Sequence, residues 1–127
     1  MSSGGARARS GPAPDPSSIR SLERGGENWT RLPMSGRSGR APRWPLPTSA
    51  TPAEAKAWRA EWKRPQAIQW EMNGQELEVA LYVRRLIESE EPGATAAVST
   101  LVVRQQQALG ISLPGLARNR WLIVSKA

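Results

Sequence analysis

Cysteine and histidine are both absent from the chain. Their absence excludes disulfides, thiol chemistry, every His- or Cys-based metal site and any triad that needs an imidazole. No apolar run approaches the ~18 residues of a membrane helix, and no signal-peptide core follows Met1. The expectation is a protein that does not enter membranes and works in the cytoplasm of the cell that makes it. No G-x-x-x-x-G-K-[ST] loop is present to cradle a nucleoside triphosphate, and no G-x-G-x-x-G follows a strand. Carboxylates fall mainly on helix faces that the pattern leaves exposed: Glu54 and Glu61, Glu76 and Glu78, Glu88, Glu90 and Glu91. A two-metal nuclease needs carboxylates converging from separate elements. The reading is therefore a non-enzyme with no catalytic residue, cofactor or metal.

What is abundant is positive charge. Eighteen Lys and Arg stand against 11 Asp and Glu, a net +7 over 127 residues. A balance of that sign points to a polyanion partner, double-stranded DNA first. The length suits one domain.

The charge is unevenly spread. Residues 1 to 50 hold 7 of the 11 Pro, 7 of the 11 Gly, and eight Arg against three acids. Apolar residues are few and scattered there. Such a segment buries too little surface to offset an ordering cost of ~1–2 kcal/mol per residue. It reads as a disordered basic arm, with one candidate helical turn at Pro16 to Leu22. Within the arm Arg37, Arg40 and Arg43 recur every third residue, about 10 Å apart in an extended chain at ~3.3 Å per residue. Guanidinium groups so spaced can follow phosphates or enter a narrow minor groove; a plain soluble linker is the alternative.

Structure is expected from residue 51 to 124, with 125 to 127 a tail. Thr51-Pro52-Ala53-Glu54 combines a capping residue, Pro at the first helical position and Glu three after the cap. The helix it opens runs to about Lys63, with Ala55, Trp58 and Trp62 on one face. Pro65 opens a further short helix through Ile68, Trp70 and Met72, ended by Asn73-Gly74. Gln75 to Gly110 then reads as an antiparallel helical hairpin. Its first helix spans about Gln75 to Glu90 and its second about Ala96 to Leu109. Pro92 stops the first, Gly93 allows the turn and Thr95 caps the second. Apolar spacing in both is helical: Val79, Ala80, Val83, Leu86 and Ile87, then Val98, Leu101, Val102, Ala108 and Leu109. Trp58, Trp62 and Trp70 supply the layer that covers the hairpin. Ser112 caps a last short helix at Leu116 to Asn119. Trp121 to Val124 is either a strand-like segment packed on the bundle or a surface for a partner.

The fold class is accordingly all-α, a small helical bundle on a helical hairpin. Apolar surface beyond what a bundle of this size covers favours self-association, with Tyr82, Arg85 and Val103, off the hairpin seam, as the candidate subunit contacts. Besides the arm, candidate DNA-binding residues are Lys56, Arg59, Lys63 and Arg64 on the first helix, and Arg118 and Arg120 near the end.

The run L-E-V-A-L-Y-V-R-R-L, followed by V-R-Q-Q-Q-A-L-G-I-S-L-P-G-L-A-R-N-R-W, resembles the small terminase subunit of tailed bacteriophages. The resemblance lies in a helical hairpin followed by Leu109-Gly110, a turn with Ser112 and Pro114, and the Arg-containing Leu116 to Arg120. The G-P-A-P and S-G-R-S-G-R-A-P stretches are similar to that family's basic leader. The resemblance, over about Gly11 to Leu122, implies a ring-forming, non-catalytic protein in the cytoplasm of the bacterial host. It implies binding to the phage genome and delivery to the terminase large subunit, which holds the ATPase and nuclease. A phage head-completion or connector protein and a DNA-binding regulator are the alternatives.

Overall fold

The computed structural model describes residues 28–126. Among them are five helices and one two-stranded sheet, in the order β1 (Thr30–Pro33), α1 (Pro52–Glu61), α2 (Ala67–Met72), α3 (Glu76–Ser89), α4 (Ala96–Ala108), α5 (Leu113–Asn119) and β2 (Trp121–Val124). The candidate turn at Pro16 to Leu22 lies outside the described residues.

Local chemistry sets the helix ends. At the start of α1 the Thr51 hydroxyl accepts from the Glu54 amide at 3.2 Å, and the Thr51 amide donates to the Glu54 carboxylate at 2.9 Å. This reciprocal box satisfies two amides that a helix start otherwise leaves open. At α4 and α5 only the hydroxyl half of this arrangement is present, with Thr95 accepting from the Val98 amide and Ser112 from the Gly115 amide. The two hairpin helices pack against each other, and α1 packs on α3.

Four tryptophans join the layers. Trp44, Trp58, Trp62 and Trp70 meet edge to face in succession, with ring centroids 5.2, 5.4 and 5.5 Å apart. Such pairs contribute about 0.5–1.5 kcal/mol each beyond their buried area. Trp70 is fully buried, and its indole N–H donates to the Leu109 carbonyl at 2.8 Å. The Gln66 side-chain amide donates to the Gly110 carbonyl at 3.0 Å. Through these two bonds α2 closes carbonyls left open at the end of α4. Farther on, α5 approaches α4 through Gly115, where a Cβ would stand 2.6 Å from the Gln107 carbonyl oxygen.

The all-α expectation needs correction, because β1 and β2 form a parallel pair in the register Thr30 to Trp121 through Pro33 to Val124. Arg120, in a left-handed conformation at φ 59°, turns the chain from α5 into β2. Leu32 of β1 is only 1 % exposed and belongs to the core. Residues 28–50 are thus part of the folded unit, which corrects a disordered arm ending at residue 50. The physical reason is long-range partnership. This stretch has little apolar surface, but what it has is placed against the bundle: Leu32, Ala41, Trp44 and Leu46 all pack on the core. Trp121 to Val124 does pack as a strand, and the partner strand comes from the region read as arm.

Candidate nucleic-acid interface

The segment after β1 runs back along α1. Gly36 comes so close to the end of α1 that a Cβ there would collide with the Lys63 carbonyl oxygen, and its φ of +84° suits glycine. The Arg37 amide donates to the Arg64 carbonyl at 3.3 Å. The Trp58 indole donates to the Pro42 carbonyl at 2.8 Å, and Trp44 stacks edge-on against Trp58. Residues 37 to 44 therefore track the C-terminal half of α1.

Exposed basic residues lie both on this segment and on the helix it follows. Arg40 and Arg43 are exposed on the segment; Lys56, Arg59 and Lys63 are exposed on and just after α1. Lys56 and Arg59, three residues apart, are neighbours on the helix surface, and Lys63 follows just past its end. Among the described residues, no ion pair engages any of the five.

The carboxylates around this surface are neutralised by arginines that face inward or sideways. Glu54 and Glu61 are buried, which corrects their expected place on an exposed face. Glu54 takes a two-pronged contact from Arg84 at 2.8 and 2.9 Å. That bond outweighs the opposing effect of burial and, with the Thr51 amide, holds the Glu54 carboxyl at about 2, well below its ordinary value. Arg84 also donates to the Thr48 and Ser49 carbonyls and lies over the Trp44 ring, tying the segment to α3. Arg64 pairs with Glu61 at 2.6 Å and is half-buried, so it does not join the open basic surface.

Arg37 departs most from its expected role. Its side chain is 11 % exposed, lies over Trp62 with its guanidinium carbon 5.4 Å from the ring centroid, and forks onto Glu71 with two bonds of 3.1 Å. A third bond goes to the Arg40 carbonyl at 3.1 Å. Its donors are directed inward and sideways, so it is not a phosphate ligand in this conformation. The guanidinium in turn lowers the Glu71 carboxyl below the ordinary range. Sequence reading grouped Arg37 with Arg40 and Arg43 on spacing alone. The signal it missed, Glu71, lies 34 residues away in α2.

Arg118, in the last turn of α5, and Arg120, between α5 and β2, are exposed. Of the proposed subunit contacts, Tyr82 is corrected outright. It is 1 % exposed, and its hydroxyl accepts from Gln106 at 3.2 Å inside the hairpin. Burial raises its phenol pKa. Arg85 is half-buried and pairs with Glu88 at 2.6 Å, whereas Val103 is exposed. Leu77, Leu81 and Leu101 are also exposed on the hairpin. A shallow groove of about 140 Å³ lies there, lined by Glu78, Leu81, Gln105, Ala108 and Leu109.

Among the described residues no cluster of three or more acidic side chains could hold a metal ion, and no helix is long and apolar enough to cross a membrane. Comparison with protein-family models, curated proteins and solved structures finds no match to this chain.

Proposed function

We propose that this protein is a DNA-binding, non-catalytic small subunit of a tailed-phage terminase. In this reading it acts as a homo-oligomer in the bacterial cytoplasm and hands viral DNA to the large subunit. The family resemblance in sequence supports the packaging role. The observation that supports the DNA-binding role is that Arg40 and Arg43, on the segment running beside α1, and Lys56, Arg59 and Lys63, on and just after α1, are exposed and outside every ion pair among the described residues, while Glu54, Glu61 and Glu71 are already paired.

The mechanism is electrostatic. Each Lys or Arg that neutralises a phosphate releases condensed counterion, so affinity falls with salt by about 0.9 log units per contact. Contacts of this kind set position and orientation on the duplex and carry little base information. Exposed Leu77, Leu81, Leu101 and Val103 offer apolar surface for self-association, which would repeat the basic surface around an assembly.

The test is fluorescence anisotropy on duplex DNA across a salt series. The variant is Arg40→Ala/Arg43→Ala/Arg59→Ala/Lys63→Ala, with assembly size checked by light scattering. The expected result is weaker binding and a salt slope flatter by about 3–4 per protomer engaged. Wild-type affinity and slope in that variant would overturn the reading and favour a head-completion or connector role, in which the partner is protein.

A further inference from the structure

We infer that Arg37 is a positioning residue: it anchors the 37–43 segment on α1 and α2 and so fixes where Arg40 and Arg43 are presented. The inference rests on the DNA-binding reading above and assigns Arg37 and its partner Glu71 a role within it.

Four attachments meet at this point. Gly36 lies against the Lys63 carbonyl, and the Arg37 amide bonds the Arg64 carbonyl. The guanidinium rests on Trp62 and forks onto Glu71. Its remaining terminal nitrogen holds the Arg40 carbonyl, three residues on. That last bond fixes the backbone of a residue whose own side chain is exposed. No helix or strand covers residues 37 to 43, so these attachments replace a hydrogen-bond ladder in defining the path. Only an Arg can make all of the side-chain contacts at once, because the planar fork serves Glu71 and the Arg40 carbonyl while its face lies on the indole.

The role makes a prediction opposite in sign to simple electrostatics. Glu71 is 56 % exposed on the side chain, and Glu71→Gln removes a negative charge near the residues proposed to bind a polyanion. On charge alone the variant binds DNA more tightly. If Glu71 holds Arg37, and Arg37 holds the segment, the variant binds less tightly, because Arg40 and Arg43 lose their fixed positions.

The experiment compares wild type with Glu71→Gln, Gly36→Ala and Arg37→Lys, each checked for folding by tryptophan fluorescence. Gly36→Ala changes no charge and disturbs the same attachment from the backbone side. Arg37→Lys keeps the charge and loses the fork. Two quantities are read: affinity for duplex DNA across salt, and the rate of trypsin cleavage at Arg40–Ala41, which needs no DNA. The expected outcome is a roughly three- to tenfold loss of affinity in all three variants, with a slope lower by about 1–2. Cleavage should be faster by a similar factor, as local opening becomes easier. Tighter binding and a steeper slope in Glu71→Gln would overturn the inference and make Arg37 a phosphate ligand masked by Glu71. Unchanged cleavage in both Glu71→Gln and Gly36→Ala would overturn it as well. Should the four-residue basic variant bind DNA like wild type, the DNA-binding reading fails, and the cleavage rates alone decide whether Arg37 anchors the segment.

Discussion

The α3–α4 hairpin and the segment from residue 28 to 50 are built by opposite means. The hairpin is made of near neighbours in sequence: a cap three residues away at the start of α4, a short turn, and two helices that pack against each other across it. The lead-in segment has almost no local structure beyond four residues of β1. It is held by partners far along the chain: β2 for Thr30–Pro33, Glu71 for Arg37, Trp58 for Pro42 and Trp44. A segment poor in apolar residues can still be ordered when each of its few anchoring side chains finds a prepared site. Composition measures how many such side chains there are and says nothing about the sites.

The largest expected effect falls on what the two regions share. Trp70 is fully buried, ends the tryptophan ladder and bonds the Leu109 carbonyl. Trp70→Ala should cost about 3–5 kcal/mol and leave that carbonyl open. Urea unfolding followed by helical circular dichroism reads this directly. A loss below about 1 kcal/mol would mean the hairpin stands without its covering layer.

A smaller effect asks whether the lead-in belongs to the same cooperative unit. Leu32→Ala should cost about 2–4 kcal/mol, since Leu32 is buried in the core. Amide exchange at Thr30 and Met34, which donate to Arg120 and Val124, should be protected in wild type and faster in the variant. Exchange at those two amides near the unprotected rate in wild type would separate the lead-in from the hairpin.

The smallest effect is acid sensitivity at Glu54, which joins the two regions through Arg84. Its folded-state carboxyl titrates near 2, against 4.5 for the ordinary group. The depressed value means its contribution is complete above about pH 4.5 and is lost as pH falls towards 2. Glu54→Gln should lower stability at neutral pH and show a shallower decline between pH 5 and pH 2.5. The urea midpoint at both pH values checks this. A decline as steep as in wild type would place the acid-sensitive group elsewhere.

Much of the helical framework was legible in the sequence because its determinants are local. Thr51, Pro52 and Glu54 mark the start of α1 without reference to anything else, and Thr95 and Ser112 do the same for α4 and α5. Boundaries drifted where the signal was weaker. α1 ends at Glu61 rather than near Lys63, and α5 begins at Leu113, immediately after its cap, rather than at Leu116. The exposed basic residues were legible as residues, but the course of the segment that carries two of them was not. Arg40 and Arg43 were read as belonging to an arm, and Lys56, Arg59 and Lys63 to a rival site on the first helix. Residues 37 to 44 instead run beside α1, so both groups belong to one folded unit.

The amino-acid sequence by itself determined where helices start and turn, that no thiol or imidazole chemistry is available, and that the chain carries a surplus of positive charge. Those properties depend on residues within a few positions of one another, or on counting. Tertiary structure alone decided that Thr30–Pro33 pairs with Trp121–Val124, that Arg37 faces Glu71 while Arg40 and Arg43 face outward, and that Tyr82 lies inside. Each of these outcomes is a competition among distant partners, and a side chain's neighbours are not settled until the intervening chain has folded.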